Sequence, residues 1–192
     1  MKLIKGKIYL KILFFGTALA GKTTSLQWLF ENVIPEEMKI TDQIRSIKTS
    51  FGQTLLFDFV PIQVSKNIII RIYTATGQDY YTITRKMLME EVNGIFFVVD
   101  SQKKELKHNE EFVGEFKKYL ENIKGLREAD VIVLYNKQDL KDVYSPKYLE
   151  RRLNLRGYTS YPTCALTGMN LEVAFTVMIG QILKTLKEKE AL

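Results

Sequence analysis

The sequence contains one cysteine, Cys164, and one histidine, His108. A lone cysteine excludes an intramolecular disulfide and fits a reducing compartment. Neither residue type recurs at metal-ligand spacing, so structural zinc is not indicated. No apolar run is long enough to span a bilayer. The first residues, Met1-Lys2-Leu3-Ile4-Lys5-Gly6-Lys7, lack the apolar core and small-residue cleavage site of a secretory signal. Residue 2 is lysine, not glycine, and the chain ends Lys189-Glu190-Ala191-Leu192, so neither myristoylation nor prenylation is encoded. No repeat, low-complexity tract or linker stands out. These absences lead us to expect a cytoplasmic chain with no lipid anchor, whose membrane contacts, where they exist, are electrostatic or partner-mediated.

The 192 residues, 46% of them hydrophobic, suffice for one domain with a full core. The net charge of +6 is spread along the chain, with its densest patch at Arg151, Arg152 and Arg156. No aromatic-interleaved basic module accompanies it, so a solvated basic surface attractive to acidic partners is expected, and not a nucleic-acid site. His108 sits on a charged stretch and reads as a surface residue; Trp28 and the Phe-rich segments read as core.

The most informative stretch is Gly16-Thr17-Ala18-Leu19-Ala20-Gly21-Lys22-Thr23, which matches G-x-x-x-x-G-K-[ST]. Before it runs Ile8–Phe15, β-branched and aromatic, of strand length. After it, Leu26, Leu29, Phe30 and Val33 recur at helical spacing. Strand, glycine loop and helix are the context this motif needs. Its backbone N–H groups form an anion nest backed by the helix dipole. Gly16, Leu19, Ala20, Gly21, Lys22, Thr23 and Thr24 are the expected phosphate-side residues, with Lys22 reaching the β- and γ-phosphates and the Thr23 hydroxyl on Mg²⁺.

Residues 36–50 are polar and poorly periodic and read as a mobile loop of functional length. Gln53–Pro61 and Asn67–Thr74 are short strands close enough to pair as a hairpin. Gly94–Asp100 and Val131–Tyr135 are continuous apolar runs, the mark of strands buried on both faces. Helical spacing marks residues near 82–91, 106–124 and 146–153, and a last helix carrying Leu171, Phe175, Met178, Ile179, Ile182 and Leu186 on one face. A sixth strand is expected near Tyr161–Ala165. Alternating strands and helices predict a mostly parallel, doubly wound α/β sheet with one antiparallel edge strand, its ligands at the strands' carboxyl ends.

Asn136-Lys137-Gln138-Asp139 directly follows one buried strand and reads N-K-x-D. A carboxylate such as Asp139 can accept from both N1–H and N2–H₂ of guanine, a pair adenine does not offer. By analogy with base readout in DNA, a bidentate contact discriminates by about 1–3 kcal/mol. Lys137 would lay its stem on the purine, and Asn136 would tie this loop to the phosphate loop. Together the two motifs mean a guanine nucleotide.

Three further stretches carry a resemblance: Thr54-Leu55-Leu56-Phe57-Asp58-Phe59-Val60-Pro61, Tyr73-Thr74-Ala75-Thr76-Gly77-Gln78-Asp79-Tyr80-Tyr81 followed by Arg85-Lys86, and Gly94–Ser101. With Cys164-Ala165-Leu166-Thr167-Gly168, they make the chain resemble small Ras-like GTPases over nearly its whole length, most strongly the MglA-type prokaryotic polarity and motility GTPases and more distantly Arf-like proteins. The resemblance implies a single G-domain over 1–192 with the P-loop NTPase fold, six strands and helices on both faces. It implies a monomer that binds GTP or GDP with Mg²⁺, hydrolyses GTP and presents its two states to effectors. It also implies a Roadblock-domain activator of the MglB type. Thr54 takes the role of the switch I threonine on Mg²⁺ and the γ-phosphate, Gly77 that of the switch II glycine, and Gln78 that of the glutamine orienting water. Backbone N–H groups of Cys164, Ala165 and Leu166 would contact guanine O6.

Three positions depart from the wider family. Thr74 replaces the aspartate of D-x-x-G that holds the Mg²⁺ water shell, as it does in the MglA type. Asp58 is a candidate substitute, with a solvent-facing strand residue as the equal alternative. Ala18 stands where many relatives have glycine and would crowd the γ-phosphate. Gln53 stands where the MglA type has an arginine finger, a group worth roughly 10³–10⁵ in rate. Arg45 is the first candidate to replace it, then Arg85 or a partner's arginine; without one, hydrolysis is slow. The rival readings are a non-cycling GTP-binding scaffold and, further off, a P-loop kinase.

Overall fold

A computed structural model of the chain describes residues 2–4, 6–48, 54–77 and 82–190. Gln53, Gln78, Asp79, Tyr80 and Tyr81 lie outside the described residues, and so does the side chain of Thr54.

The apolar runs become the middle of the sheet. β2 (Lys7–Gly16) pairs in parallel with β5 (Ile68–Ala75) on one side and with β6 (Gly94–Asp100) on the other. β7 (Asp130–Asn136) continues in parallel beside β6, and β8 (Thr159–Pro162) beside β7. Strand alternation splits the buried residues between two faces. Leu10, Ile12, Phe14, Phe96, Val98, Ile132 and Leu134 pack against α1 (Lys22–Asn32) and α5 (Leu171–Glu190). Leu13, Phe15, Ile95, Phe97, Val99, Val133 and Tyr135 face α2 (Thr82–Met89), α3 (Leu106–Asn122) and α4 (Pro146–Arg152). The rings of Phe14 and Phe96 stack across β2 and β6 at 4.7 Å. Strands covered on both sides must be apolar throughout, which is why β6 is buried at all seven positions.

β4 (Thr54–Ser65) pairs antiparallel with β5, as the hairpin reading requires. It is not the edge, because β3 (Arg45–Lys48), within the expected mobile loop, pairs antiparallel outside it. Arg45-Ser46-Ile47-Lys48 has one apolar residue in four, too little alternation to announce a strand. β1 (Lys2–Ile4) folds back antiparallel on the start of β2. These two short strands join the six expected ones. β8 ends earlier than expected, at Pro162, which cannot donate to the ladder, and Thr163–Ala165 turn instead towards the end of β7. The carboxyl ends of β2, β5, β6, β7 and β8 share one edge of the sheet, and the Gly16–Thr23, Asn136–Asp139 and Cys164–Gly168 stretches lie there.

Candidate functional site

Between β2 and α1 the chain turns tightly. Gly16 has φ +151°, and a Cβ there would sit 2.1 Å from the Val98 carbonyl oxygen. Gly21, at the helix N-cap with φ +100°, would place a Cβ 2.2 Å from Asn136 Nδ2. Only glycine fits either position. Leu19 also adopts a positive φ, 59°, with its side chain 89% exposed, a strained conformation held by the loop around it. Lys22 is buried, and its ammonium donates to the carbonyls of Gly16 at 2.9 Å and Thr17 at 2.5 Å. Burial lowers its pKa to about 7; the positive charge of Arg85 adds to this and the carboxylate of Asp58 opposes it. A lysine so destabilised as a cation gains most from an arriving anion.

The next residue, Thr23, donates its hydroxyl to Asp58 Oδ2 at 2.5 Å. Asp58 is 1% exposed, so the solvent-facing alternative for it does not hold. Its carboxylate also accepts from the Thr74 hydroxyl at 2.8 Å, and Asp58 and Thr74 are register partners across β4 and β5. A hydroxyl and a carboxylate converging beside an anion nest form a hard-oxygen donor set. Gly77 closes the cradle from the β5 side: a Cβ on it would lie 2.1 Å from the Ala18 nitrogen, so its backbone is pressed onto the Thr17–Ala18 peptide.

The second loop is bound to the first through one side chain. Asn136, 1% exposed, donates from Nδ2 to the Ala20 carbonyl at 2.7 Å, and its Oδ1 accepts from the Ala165 amide at 2.9 Å. Thr163 Oγ1 completes the cluster at 3.3 Å. Lys137, at φ 69°, pairs with Asp100 Oδ2 at 2.6 Å. Asp139 and Leu166 are exposed, while Cys164 and Ala165 are buried.

The structure thus brings together Gly16–Thr23, Gly77, Asn136, Lys137 and Ala165, and adds Asp58. Arg45 stays apart, exposed on β3 opposite Phe59. Arg85 is buried and held by Glu115 of α3, with Nε–Oε1 2.7 Å and Nη2–Oε2 2.9 Å. Sequence reasoning missed Asp100, the acid under Lys137, although its place at the carboxyl end of a fully buried strand was a usable signal. It also missed Glu115, whose sequence surroundings are ordinary helix surface. Among the described residues, no helix is long and apolar enough to cross a membrane.

A sequence model of the ADP-ribosylation factor family matches residues 1–182. The mutual gliding-motility protein MglA of Myxococcus xanthus is 29% identical over 187 residues, covering 95% of this chain and 94% of that protein. ADP-ribosylation factor-like protein 5 of Dictyostelium discoideum is 28% identical over 180 residues, covering 91% and 88%. The solved structure of the Arl6 BBS3 small GTPase from Trypanosoma brucei with the nucleotide analogue GppNp shares the fold, with a TM-score of 0.70, 15% identity, and coverage of 93% of this chain and 99% of that one. With a phosphate loop and a base loop joined through Asn136, and a family match along nearly its whole length, this chain belongs to the ADP-ribosylation factor family and is a small GTPase, a GTP-binding switch that hydrolyses GTP.

Proposed function

We propose that residues 1–192 work as one cytoplasmic, monomeric G-domain that cycles between GTP and GDP under the control of a Roadblock-domain activator. The observation that carries this reading is the Asn136 side chain, which joins the phosphate cradle to the base loop and so makes phosphate and guanine recognition one event. Gly16, Leu19, Ala20, Gly21, Lys22, Thr23 and Thr24 bind the phosphates, with Lys22 supplying the cation. Asp139 reads guanine, Lys137 lies along its face, and the Cys164, Ala165 and Leu166 amides meet O6. Thr54 and Gly77 sense the γ-phosphate, and Gln78 orients the attacking water.

The donor set at Thr23 suits Mg²⁺, which takes few protein ligands and keeps several waters. Thr23 and Thr54 would hold the ion, and Asp58 would accept from its waters. When bound, Mg²⁺ neutralises charge on the phosphate oxygens. Asp58, through Thr23, fixes the direction of the hydroxyl that meets it.

Support for the Roadblock partner is the likeness to MglA, and support for slow unaided hydrolysis is Gln53 and Ala18. Arg45, on an edge strand, is the candidate to complete the site when that strand moves. Nucleotide exchange with GTP, ATP and a non-hydrolysable GTP analogue, followed by phosphate release with and without a Roadblock protein, tests the scheme. GTP preference with stimulated release supports it. Tight GTP binding with no release under either condition assigns the protein instead to a non-cycling scaffold, and ATP preference overturns guanine recognition.

A further inference from the structure

The first turn of α2 is held by polar groups rather than by packing. Of the residues of α2, only Arg85, Leu88 and Met89 are buried, and the two apolar ones lie in its last turn. Ile83 and Met87 point outward, 79% and 64% exposed. The far end of the helix is secured by Lys11 of β2, whose ammonium donates to the Glu90 carbonyl at 3.0 Å. The near end is held by Arg85 and by Tyr119 of α3. The Arg85 guanidinium forks onto both oxygens of Glu115, reaches Thr82 Oγ1 at 3.3 Å and lies 5.1 Å from the centroid of the Phe112 ring. Tyr119 donates to the same Glu115 and to the Thr82 carbonyl at 3.3 Å. Thr82 is therefore tied to α3 once directly, through Tyr119, and once indirectly, through Arg85 of its own helix.

A buried ion pair is a costly way to hold a helix, since apolar residues of equal volume often stabilise as well or better. What a bidentate pair provides is direction. Thr82 follows the four residues 78–81, and Gly77, which precedes them, is pressed against Ala18. The two described residues that flank Gln78 in sequence are thus both held, Gly77 against the phosphate loop and Thr82 by Tyr119 of α3.

We infer that Arg85, Glu115 and Tyr119 are positioning residues for GTP hydrolysis, anchoring the far end of the Gln78 segment without touching nucleotide. The inference rests on the proposed role of Gln78. It also gives Arg85 a use other than that of an arginine finger, because its fork is already committed to α3.

The test compares Arg85→Lys, Glu115→Gln and Tyr119→Phe with the unaltered protein and with Gln78→Leu. For each, the single-turnover hydrolysis rate, the GTP and GDP dissociation constants and the thermal midpoint are measured. A misplacement of about 1 Å is worth up to about a hundredfold in rate. Arg85→Lys, which keeps the charge and loses the fork, and Glu115→Gln are therefore expected to slow hydrolysis at least about tenfold, with nucleotide affinity changed less than about twofold. Tyr119→Phe, the mildest change, is expected to fall between them and the unaltered protein. Wild-type rates in Arg85→Lys and Tyr119→Phe, with Gln78→Leu inactive, overturn the anchor. Rate, affinity and thermal midpoint falling in parallel overturn it too, because that is general loosening. An active Gln78→Leu overturns the role of Gln78 itself, a different failure.

Discussion

Asp58 and Thr74 sit opposite each other on β4 and β5, and they exchange hydrogen bonds: the Thr74 hydroxyl donates to Asp58 Oδ2 at 2.8 Å and the Asp58 amide donates to Thr74 Oγ1 at 3.1 Å. Small GTPases with D-x-x-G carry the acid at the β5 position. Here the acid stands one strand over, and its carboxylate reaches Thr23 at 2.5 Å from there. The ladder thus keeps one carboxylate beside the P-loop hydroxyl, supplied from β4 rather than β5.

This arrangement predicts the behaviour of a swap. Outer-shell partners of a metal site are typically worth 10–100-fold in affinity. Asp58→Ala is expected to weaken the Mg²⁺ dependence of GDP affinity by about that factor, measured by titrating Mg²⁺ during nucleotide release. Thr74→Asp alone places two carboxylates on partner positions and is expected to destabilise the fold. The double variant Asp58→Thr with Thr74→Asp returns the acid to β5 and is expected to recover most of both losses. A double variant worse than either single would show that the strand, and not only the charge, matters.

Lys22 predicts a pH dependence of binding. In the free protein its pKa is lowered to about 7. Phosphate oxygens beside the ammonium favour the charged form, so nucleotide binding raises that pKa and takes up a proton above pH 7. Affinity is then level below about pH 7 and falls as pH rises beyond it. Calorimetry of GDP binding at pH 8 in buffers of different ionisation enthalpy should register uptake of a fraction of a proton, and Lys22→Arg should abolish it. Proton release would contradict the assignment.

Asn136 and Asp139 are expected to fail in different ways. Asn136→Ala strands the Ala20 carbonyl and the Ala165 amide in a buried setting, at about 1–3 kcal/mol each. Both loops lose their tie, so the thermal midpoint falls and GTP and GDP dissociate faster together. Asp139→Asn leaves the exposed loop folded and is expected to reduce GTP-over-ATP preference by about 1–3 kcal/mol. Competition binding with ATP separates the two effects.

The contrast between these residues also marks what a single sequence can reveal. Local pattern sufficed for β6 and β7, whose unbroken apolar runs admit few other readings, and for the two loops that follow buried strands. Asp58 remained ambiguous because alternation places a residue on one of two faces without saying which face meets α1. β3 was invisible because Arg45–Lys48 pairs by backbone and carries almost no hydrophobic signal. Glu115 looks like any acidic residue on an exposed helical turn until α2 is laid against α3. What escaped was tertiary partnership, which sequence spacing does not encode.

Gly168 gives a stringent check on how the base loop is built. It has φ +78°, and its amide donates to the Cys164 carbonyl at 2.9 Å, closing the turn that carries Ala165 and Leu166. A Cβ there would lie 1.9 Å from the Trp28 ring on α1. Gly168→Ala therefore combines left-handed backbone strain, about 1–2 kcal/mol, with overpacking of about 1–3 kcal/mol. For a domain of this size each kcal/mol lowers the thermal midpoint by about 2–4 °C. The ring of Trp28, the sole tryptophan, must yield, so its fluorescence reports the displacement directly. Because the same turn presents the amides proposed for guanine O6, nucleotide release should accelerate as the emission shifts. Emission that shifts while release stays unchanged would separate the turn from base recognition and assign it to folding alone.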